Sequence, residues 1–296
     1  MINNEVQTRI QGAIMMRIDA HVHLFPPEIV PEIQKYTDRD PFMKLICSSP
    51  KQKYASVEDL LAVMEKDDID KAAICGFASR DAGLCRLMND YVLAAARQHP
   101  GRLLAMASVN PLDPGMENEI QRCHEQGAAG VGELFPWGQM FSLEGPAAGK
   151  LASLCQERGL PLLLHINENV GHYYAGKGDV SVKEAAEFAG KFPALKIIYA
   201  HWGGGLFFYE LMPELKEQLQ NVYYDTAASP FLYDKNIYNV VREIGILHKV
   251  LLGTDYPLIA PRRYLRELHA AGLTPEENAL IEGENAHRLF WGPQKQ

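Results

Sequence analysis

Eight short apolar segments, each followed by a helical segment, restrict most strongly how this chain of 296 residues can fold. They lie near residues 18, 73, 106, 131, 163, 198, 223 and 252. Short apolar runs of this kind are typical of strands that are buried on both faces. Apolar residues at helical spacing follow them, as between Leu84 and Gln98. Eight strand–helix units in a chain of this length predict an α/β fold, the (β/α)8 barrel.

A doubly wound open sheet is the alternative arrangement for alternating strands and helices. That fold carries a phosphate-binding Gly-x-Gly-x-x-Gly turn after its first strand, whereas here the first strand runs into a Pro26-Pro27 turn. The glycine run at 203–205 follows the sixth strand and lacks that spacing. We therefore predict a single barrel domain over residues 14–296, preceded by an N-terminal extension over residues 1–13.

Two segments depart from the regular strand–helix repeat. Residues 28–55 form a long stretch without clear periodicity, rich in Pro, Lys, Asp and Ser, which indicates an insertion or lid after the first strand. After the eighth strand, helices are predicted over 262–271 and 276–290, so that an extra C-terminal helix follows the barrel.

Charge and apolar content exclude several classes of partner. The 37 acidic and 29 basic residues give a formal charge of −8, which is unlike the clustered Lys and Arg of a nucleic-acid-binding surface. No run of about 18 apolar residues is present that could span a membrane, and residues 1–12 lack the apolar core of a signal peptide. Five dispersed cysteines are typical of reduced core or surface thiols. We therefore predict a cytoplasmic protein without membrane or nucleic-acid partners.

The first strand ends in two histidines, His21 and His23, that are separated by one residue. Residues i and i+2 of a strand project from the same face. Both imidazoles can therefore contact one cation, at about 2.0–2.1 Å if that cation is zinc. Alone, this spacing is equally typical of two polar residues at the end of a strand.

Further polar residues fall at the predicted ends of other strands. Glu133 ends the fourth strand, His165 the fifth, His201 follows the sixth, and Asp255 the eighth. Because the active site of a barrel lies at the carboxyl ends of its strands, we expect these side chains to meet His21 and His23. Histidines with carboxylates suit zinc first, with manganese, iron or cobalt as alternatives. Taken singly, each residue has an ordinary reading as a core histidine, cap or turn residue.

The chain resembles the amidohydrolase superfamily, in the branch that contains aminocarboxymuconate-semialdehyde decarboxylase. The resemblance spans about residues 17 to 291 and depends on an ordered set of motifs: Asp19-Ala20-His21-Val22-His23, Leu162-Leu163-Leu164-His165, Ala200-His201-Trp202-Gly203-Gly204, Gly253-Thr254-Asp255-Tyr256-Pro257 and the stretch from Glu284 to Phe290. It implies that His21, His23, His165 and Asp255 hold a divalent metal, and that His201 activates water or polarises the substrate beside it.

Glu133 departs from the branch members that hold one metal. It is similar to the glutamate of superfamily members in which the fourth strand bridges two metals, with His165 and His201 on the second ion. The sequence is therefore consistent with a site for one metal ion and with a site for two. Bound zinc can lower the pKa of its water from about 15.7 toward 7. Asp255 would then take the proton, with His201 as the competing base if one metal binds.

The sequence indicates the substrate less directly. A glycine-punctuated loop leaves the fifth strand and carries His172, which could donate a hydrogen bond, and Lys177, which could reach a substrate carboxylate. Arg262, after the eighth strand, could bind an anion, and Trp202 could form a pocket wall. Each of these four residues has an ordinary alternative as an exposed or core side chain.

We predict a metal-dependent hydrolase that cleaves an amide, lactone or related carbonyl bond of a small, carboxylated substrate. A non-oxidative decarboxylase or hydratase is the alternative, since the same branch contains both kinds of lyase. A third hypothesis is a barrel that binds metal or a metabolite without turnover, although the complete set of six candidate side chains argues against it. The branch also implies a homo-oligomer, for which the sequence contains no interface signal.

Overall fold

A computed structural model describes residues 16–49 and 52–292 of the chain. The predicted N-terminal extension, residues 1–13, lies outside these ranges. Eight parallel strands are arranged in chain order in one sheet. They are β1 (Ile18–His23), β2 (Lys71–Cys75), β3 (Leu103–Ala107), β4 (Gly130–Leu134), β5 (Leu162–Leu164), β6 (Ile197–Tyr199), β7 (Val222–Asp225) and β8 (Val250–Leu251).

The sheet closes on itself through the residues that follow β8. The amide of Ala20 donates to the carbonyl of Leu252 at 2.7 Å, and the amide of His23 donates to the carbonyl of Tyr256 at 2.8 Å. In the opposite direction, the amide of Asp255 donates to the carbonyl of His21 at 2.9 Å. The predicted (β/α)8 barrel is confirmed, and its closure holds the end of β1 beside Asp255.

Helices surround the barrel and connect its strands. The α-helices are α1 (Ile33–Thr37), α2 (Pro41–Cys47), α3 (Val57–Lys66), α4 (Ala82–Gln98), α5 (Met116–Glu125), α6 (Pro136–Gln139), α7 (Pro146–Glu157), α8 (Val182–Lys191), α9 (Pro213–Gln218), α10 (Ser229–Leu232), α11 (Ile237–Ile244), α12 (Pro261–His269), α13 (Pro275–Ala279) and α14 (Asn285–Phe290). Short 3-10 segments cover Val30–Glu32, His201–Leu211 and Leu247–Lys249, and a π-helical turn, Leu280–Glu284, joins α13 to α14.

The insertion after β1 has more regular structure than its sequence indicates. It contains α1 and α2. The buried carboxylate of Asp40 caps α2 by accepting hydrogen bonds from the backbone amides of Phe42 and Met43. The same carboxylate also accepts hydrogen bonds from the Ser79 hydroxyl and the Arg80 amide, both at 2.6 Å. One aspartate therefore ties the insertion to the loop after β2, which brings the insertion over the barrel.

The segment after β6 is mostly irregular, although its apolar sequence follows a strand as the other helices do. Residues 202–205 all have positive φ, between 59° and 92°, which is incompatible with a right-handed helix. The chain therefore follows an irregular 3-10 path to Leu211, and only Pro213–Gln218 is α-helical. Gly204 is needed here, because a Cβ at this position would lie 2.4 Å from the carbonyl oxygen of Asn167.

Buried apolar side chains pack the strands against the surrounding helices. The helix α14 contributes Ala286, Leu289 and Phe290 to a cluster with strand residues that include Ile18 and Leu251. The predicted C-terminal helix therefore packs against the barrel strands. Within residues 16–49 and 52–292, no helix combines the length and apolarity that crossing a membrane requires.

Candidate metal centre

The six side chains predicted to bind metal meet at the carboxyl ends of the strands. His21 and His23 lie on β1 and Glu133 on β4, while His165, His201 and Asp255 follow β5, β6 and β8. All but Asp255 have buried or nearly buried side chains. Parallel strands of a barrel place their ends on one side, so residues more than two hundred positions apart become neighbours.

His21, His23 and one oxygen of Glu133 form the first half of this cluster. The Nε2 atoms of the two histidines are 3.0 Å apart, and Glu133 Oε2 lies 3.4 Å from His21 Nε2 and 3.2 Å from His23 Nε2. The other ring nitrogens face acceptors: His21 Nδ1 donates to Asp225 at 2.8 Å, and His23 Nδ1 donates to the carbonyl of Gly76 at 3.3 Å. In neutral histidines, both Nε2 lone pairs therefore point at a carboxylate oxygen.

His165, His201 and the second oxygen of Glu133 form the other half. Glu133 Oε1 lies 3.0 Å from His165 Nδ1 and 3.4 Å from His201 Nε2, and these two nitrogens are 3.0 Å apart. His201 Nδ1 donates to the carbonyl of Ala227 at 3.1 Å, which leaves Nε2 as a lone pair facing the cluster. Among the described residues, the buried Nε2 of His165 has no hydrogen-bond partner.

The electrostatics of the cluster favour positive charge within it. Burial alone would lower the pKa of His21, but the charges of Glu133 and Asp225 outweigh burial and hold it well above its usual value. Burial also lowers the pKa of His201, yet hydrogen bonding to Glu133 and the charges of Glu133 and Asp255 raise it to about 9. Burial would raise the pKa of Glu133, but His21 and His165 keep it well below its ordinary range.

The chemistry of these donors fits divalent cations. Each half offers two imidazole nitrogens and one carboxylate oxygen, which is a donor set that suits zinc, iron or manganese. Glu133, His165 and His201 present ligand atoms within 4.8 Å of one another. Asp255 lies at the edge of the first half, where its Oδ1 is 3.4 Å from His23 Nε2, and its side chain is 19% exposed.

Local backbone geometry brings these side chains close together. His201 and Asp255 both have positive φ, 55° and 54°, at the turns that leave β6 and β8. Gly132 allows Glu133 to approach β5, because a Cβ at Gly132 would lie 2.3 Å from the carbonyl oxygen of Leu163. A side chain there would push β4 away from β5 and move Glu133.

A cavity of about 480 Å³ opens beside the cluster. Its lining includes five of the six predicted ligands: His23, Glu133, His165, His201 and Asp255. Aromatic rings form much of the remaining wall, because Phe25, Phe77 and Phe135 stack in sequence and Phe135 stacks on His165 at 4.7 Å between ring centroids. The cavity therefore combines polar groups at the cluster with flat apolar surfaces, which suits a small substrate with a ring.

Only one of the four predicted substrate residues lines this cavity, and that residue is His172. Lys177 instead donates to the backbone carbonyls of Val170 and His172, so it stabilises its own loop. Trp202 is fully buried in the core and donates its indole N–H to Ser229 at 3.0 Å. Arg262 is exposed at the start of α12, outside the cavity lining.

Two residues near the cluster and the cavity were not predicted from the sequence. Asp225, at the end of β7, accepts a hydrogen bond from His21, and the strand-end rule that selected the other carboxylates would also have selected it. Lys53 lies in the insertion, lines the cavity and donates to the carbonyl of Leu258 at 3.3 Å. It is the one lysine or arginine among the described lining residues. The irregular insertion sequence offers no signal for its position.

The sequence matches a family model described as "Amidohydrolase" over residues 18–291. Among curated proteins, no sequence matches this chain well enough to count as a relative.

Several solved structures share the fold. The 5-carboxyvanillate decarboxylase of Sphingomonas paucimobilis has a TM-score of 0.75 and 16% identity, and the match covers 94% of this chain and 99% of the other. That of Novosphingobium aromaticivorans, complexed with manganese and 4-hydroxy-3-methoxy-5-nitrobenzoic acid, has a TM-score of 0.70, 18% identity and 95% and 98% coverage. A probable 2-pyrone-4,6-dicarboxylic acid hydrolase of Acinetobacter baumannii has a TM-score of 0.63, 18% identity and 93% and 99% coverage.

Proposed function

Because the chain belongs to the amidohydrolase family, an enzyme family, we propose that it is a metal-dependent hydrolase of small ring-containing substrates. The observation that carries the proposal is the position of Glu133. Each of its two carboxylate oxygens lies within 3.4 Å of two histidine nitrogens. A single buried carboxylate shared by two histidine pairs fits two divalent ions, which we propose are held by His21 and His23 on one side and His165 and His201 on the other.

When bound, such ions polarise a carbonyl group and lower the pKa of water toward 7 from about 15.7. We expect zinc, manganese or iron at these ligands, since imidazole and carboxylate suit all three. One structural neighbour was solved in complex with manganese, which supports a divalent ion here.

The residues of the chain supply the proton transfers. Asp255 lines the cavity and lies 3.4 Å from His23, so its carboxylate reaches both the cluster and the substrate space. It accepts the proton of the attacking water as the new carbon–oxygen bond forms. It then returns this proton to the leaving group as the carbon–nitrogen or carbon–oxygen bond breaks. His201 lines the same cavity, and its Nε2 is one of the ligand atoms that we propose for the second ion.

The cavity wall supports the choice of substrate class. The stacked rings of Phe25, Phe77 and Phe135 provide flat apolar surfaces, and the ammonium group of Lys53 is available for a carboxylate. Tyr174 adds a hydroxyl group, and burial together with the charge of Glu168 raises its pKa, which keeps it a hydrogen-bond donor. We expect a compact ring that carries a carboxylate and a cleavable carbonyl bond.

Decarboxylation of an aromatic acid is the second candidate. The same aromatic wall favours it, together with the two structural neighbours whose names describe 5-carboxyvanillate decarboxylases. In that reaction a carbon–carbon bond breaks, carbon dioxide leaves, and the ring carbon takes a proton. Hydrolysis incorporates oxygen from water into the product and decarboxylation does not, so one labelling experiment distinguishes them.

The test compares zinc- and manganese-loaded protein on ring lactones, aryl amides and aromatic carboxylates in ¹⁸O-labelled water. We expect acid release with label incorporation. Asp255→Asn should lose about 10²–10⁴-fold in turnover, in the range for removing a general acid–base group, and His201→Asn should lose turnover because one ligand of the second ion is removed. Asp113→Asn is the matched control, because Asp113 caps a distant turn through the Gly115 amide. Release of carbon dioxide with no label in the aromatic product would favour the second candidate. Full turnover in both site variants would contradict the assigned roles.

A further inference from the structure

Asp225 is a fully buried carboxylate that accepts three hydrogen bonds at the end of β7. Its Oδ2 accepts from His21 Nδ1 at 2.8 Å. Its Oδ1 accepts from the backbone amides of His201 at 2.9 Å and Ala227 at 3.0 Å. Both oxygens are therefore used, and each faces a different half of the metal cluster.

The contact at Oδ2 decides which nitrogen of His21 carries the proton. An ionised carboxylate only accepts hydrogen bonds, so the neutral ring must be protonated at Nδ1. Its bare Nε2 then faces His23 and Glu133, as a metal ligand requires. The opposite tautomer would direct an N–H group into the cluster.

The contacts at Oδ1 hold the backbone that presents His201. This residue has a φ of 55°, which is unfavourable for a residue with a side chain. The hydrogen bond to its amide fixes the turn in this conformation, and the ring then reaches His165 and Glu133 on the other side of the cluster.

Tight packing keeps the Asp225–His21 pair in place. A Cβ added at Gly253 would lie 2.9 Å from His21 Cβ and 3.0 Å from Asp225 Cβ. The two side chains therefore fill the space that a larger residue at 253 would need.

We propose that Asp225 is a positioning residue that sets the tautomer of His21 and the backbone of His201, and thereby prepares both halves of the cluster for metal. The proposal rests on the proposed metal-dependent function. Partners of this kind, behind the ligating histidine, commonly change metal affinity by about 10–100-fold.

Asparagine at this position should be more harmful to metal binding than alanine. An amide has one accepting oxygen and one donating NH2 group. Two backbone N–H groups at the Oδ1 position will hold the amide oxygen there, so the NH2 group faces His21 Nδ1. His21 then accepts at Nδ1 and carries its proton on Nε2, which blocks the cluster. Alanine removes the preference without enforcing the wrong tautomer.

The experiment measures zinc affinity by competition with a chromophoric chelator, for metal-free wild type, Asp225→Asn, Asp225→Ala and the distant control Asp113→Asn. We expect affinity to fall by about 10–100-fold in the alanine variant and about tenfold further in the asparagine variant, because a donor then faces the wrong ring nitrogen. Near-UV circular dichroism and melting temperature of the metal-free proteins report folding. Asp225→Ser replaces the alanine variant if the latter does not fold.

Weaker zinc binding by the asparagine variant than by the alanine or serine variant supports the proposal, because a merely structural role predicts the reverse order for the nearly isosteric amide. Equal or tighter binding by the asparagine variant, or affinities within threefold of wild type in both, would overturn it while leaving the metal centre intact. Wild-type protein that binds no zinc would overturn the metal-dependent function itself.

Discussion

Replacing Lys249 by methionine tests how the barrel accommodates a buried ion pair behind the site. Lys249 is buried, and its ammonium group donates to Glu210 at 2.6 Å and to the carbonyl of Leu219 at 2.9 Å. Glu210 is buried as well, and its other oxygen accepts from Tyr224 at 2.8 Å. The pair therefore links the irregular segment after β6 to β7 and to the start of β8.

The magnitude follows from what the substitution leaves behind. Methionine fills similar volume but leaves Glu210 as a buried charge that, within the described part of the chain, keeps a hydrogen bond from the Tyr224 hydroxyl alone. Breaking a buried pair in this way typically costs about 3–5 kcal/mol of unfolding free energy. For a domain of this size, about 2–4 °C of melting temperature corresponds to each kcal/mol, so we expect a fall of about 6–20 °C. The double variant Lys249→Met/Glu210→Gln removes the charge and keeps an acceptor for Tyr224, and it should recover most of this loss.

Differential scanning calorimetry on metal-free proteins measures the effect. The control is Lys196→Met, at an exposed position, where we expect a change within about 0.5 kcal/mol. A Lys249→Met protein as stable as the wild type, or a double variant no more stable than the single one, would refute the reasoning.

Three further predictions concern the cluster, the cavity and the N-terminal end of β1. Glu133→Gln should reduce the zinc content from two ions to one per chain, because an amide keeps a single ligand oxygen; elemental analysis after dialysis measures this, and an unchanged content would contradict the bridging role. Lys53→Met should raise KM for carboxylated substrates by about 10–100-fold, the size of a charged hydrogen bond, while KM for uncharged analogues stays constant. Burial would raise the pKa of Glu282, but hydrogen bonds from His269 and Arg17 lower it. The contribution of Glu282 to the free energy of unfolding is therefore present above about pH 4.5 and lost on acidification. Glu282→Gln should cost about 1–3 kcal/mol at pH 7, and the difference from wild type in urea unfolding should shrink toward pH 3 rather than stay constant.

The strands and most residues of the cluster were predictable because they depend on local pattern and chain order. Each short apolar run specifies a strand buried on both faces, and a parallel barrel places all strand ends on one side. His165 and Asp255 could therefore be assigned to one site without knowledge of distance. The assignment of particular residues as metal ligands stays a prediction, which the structure supports by bringing them within hydrogen-bonding distance.

Residues in the loops were harder to predict, because contacts distant in sequence determine where their side chains point. Trp202 follows a strand end, yet its ring is buried in the core at a turn where five consecutive residues, 201–205, have positive φ. Lys177 is held by the carbonyl groups of its own loop. Lys53 lies in the insertion, which Asp40 ties to the loop after β2, and its side chain lines the cavity. None of these three arrangements has a periodic signal in the sequence.

The central claim, that two cations occupy sites on either side of Glu133, can be tested by anomalous diffraction at the zinc edge from zinc-loaded crystals. We expect two peaks, one bonded to His21 and His23 and the other to His165 and His201, with metal–nitrogen distances of about 2.0–2.1 Å. A map without a peak between these side chains, or with zinc bound only outside the cluster, would contradict the claim.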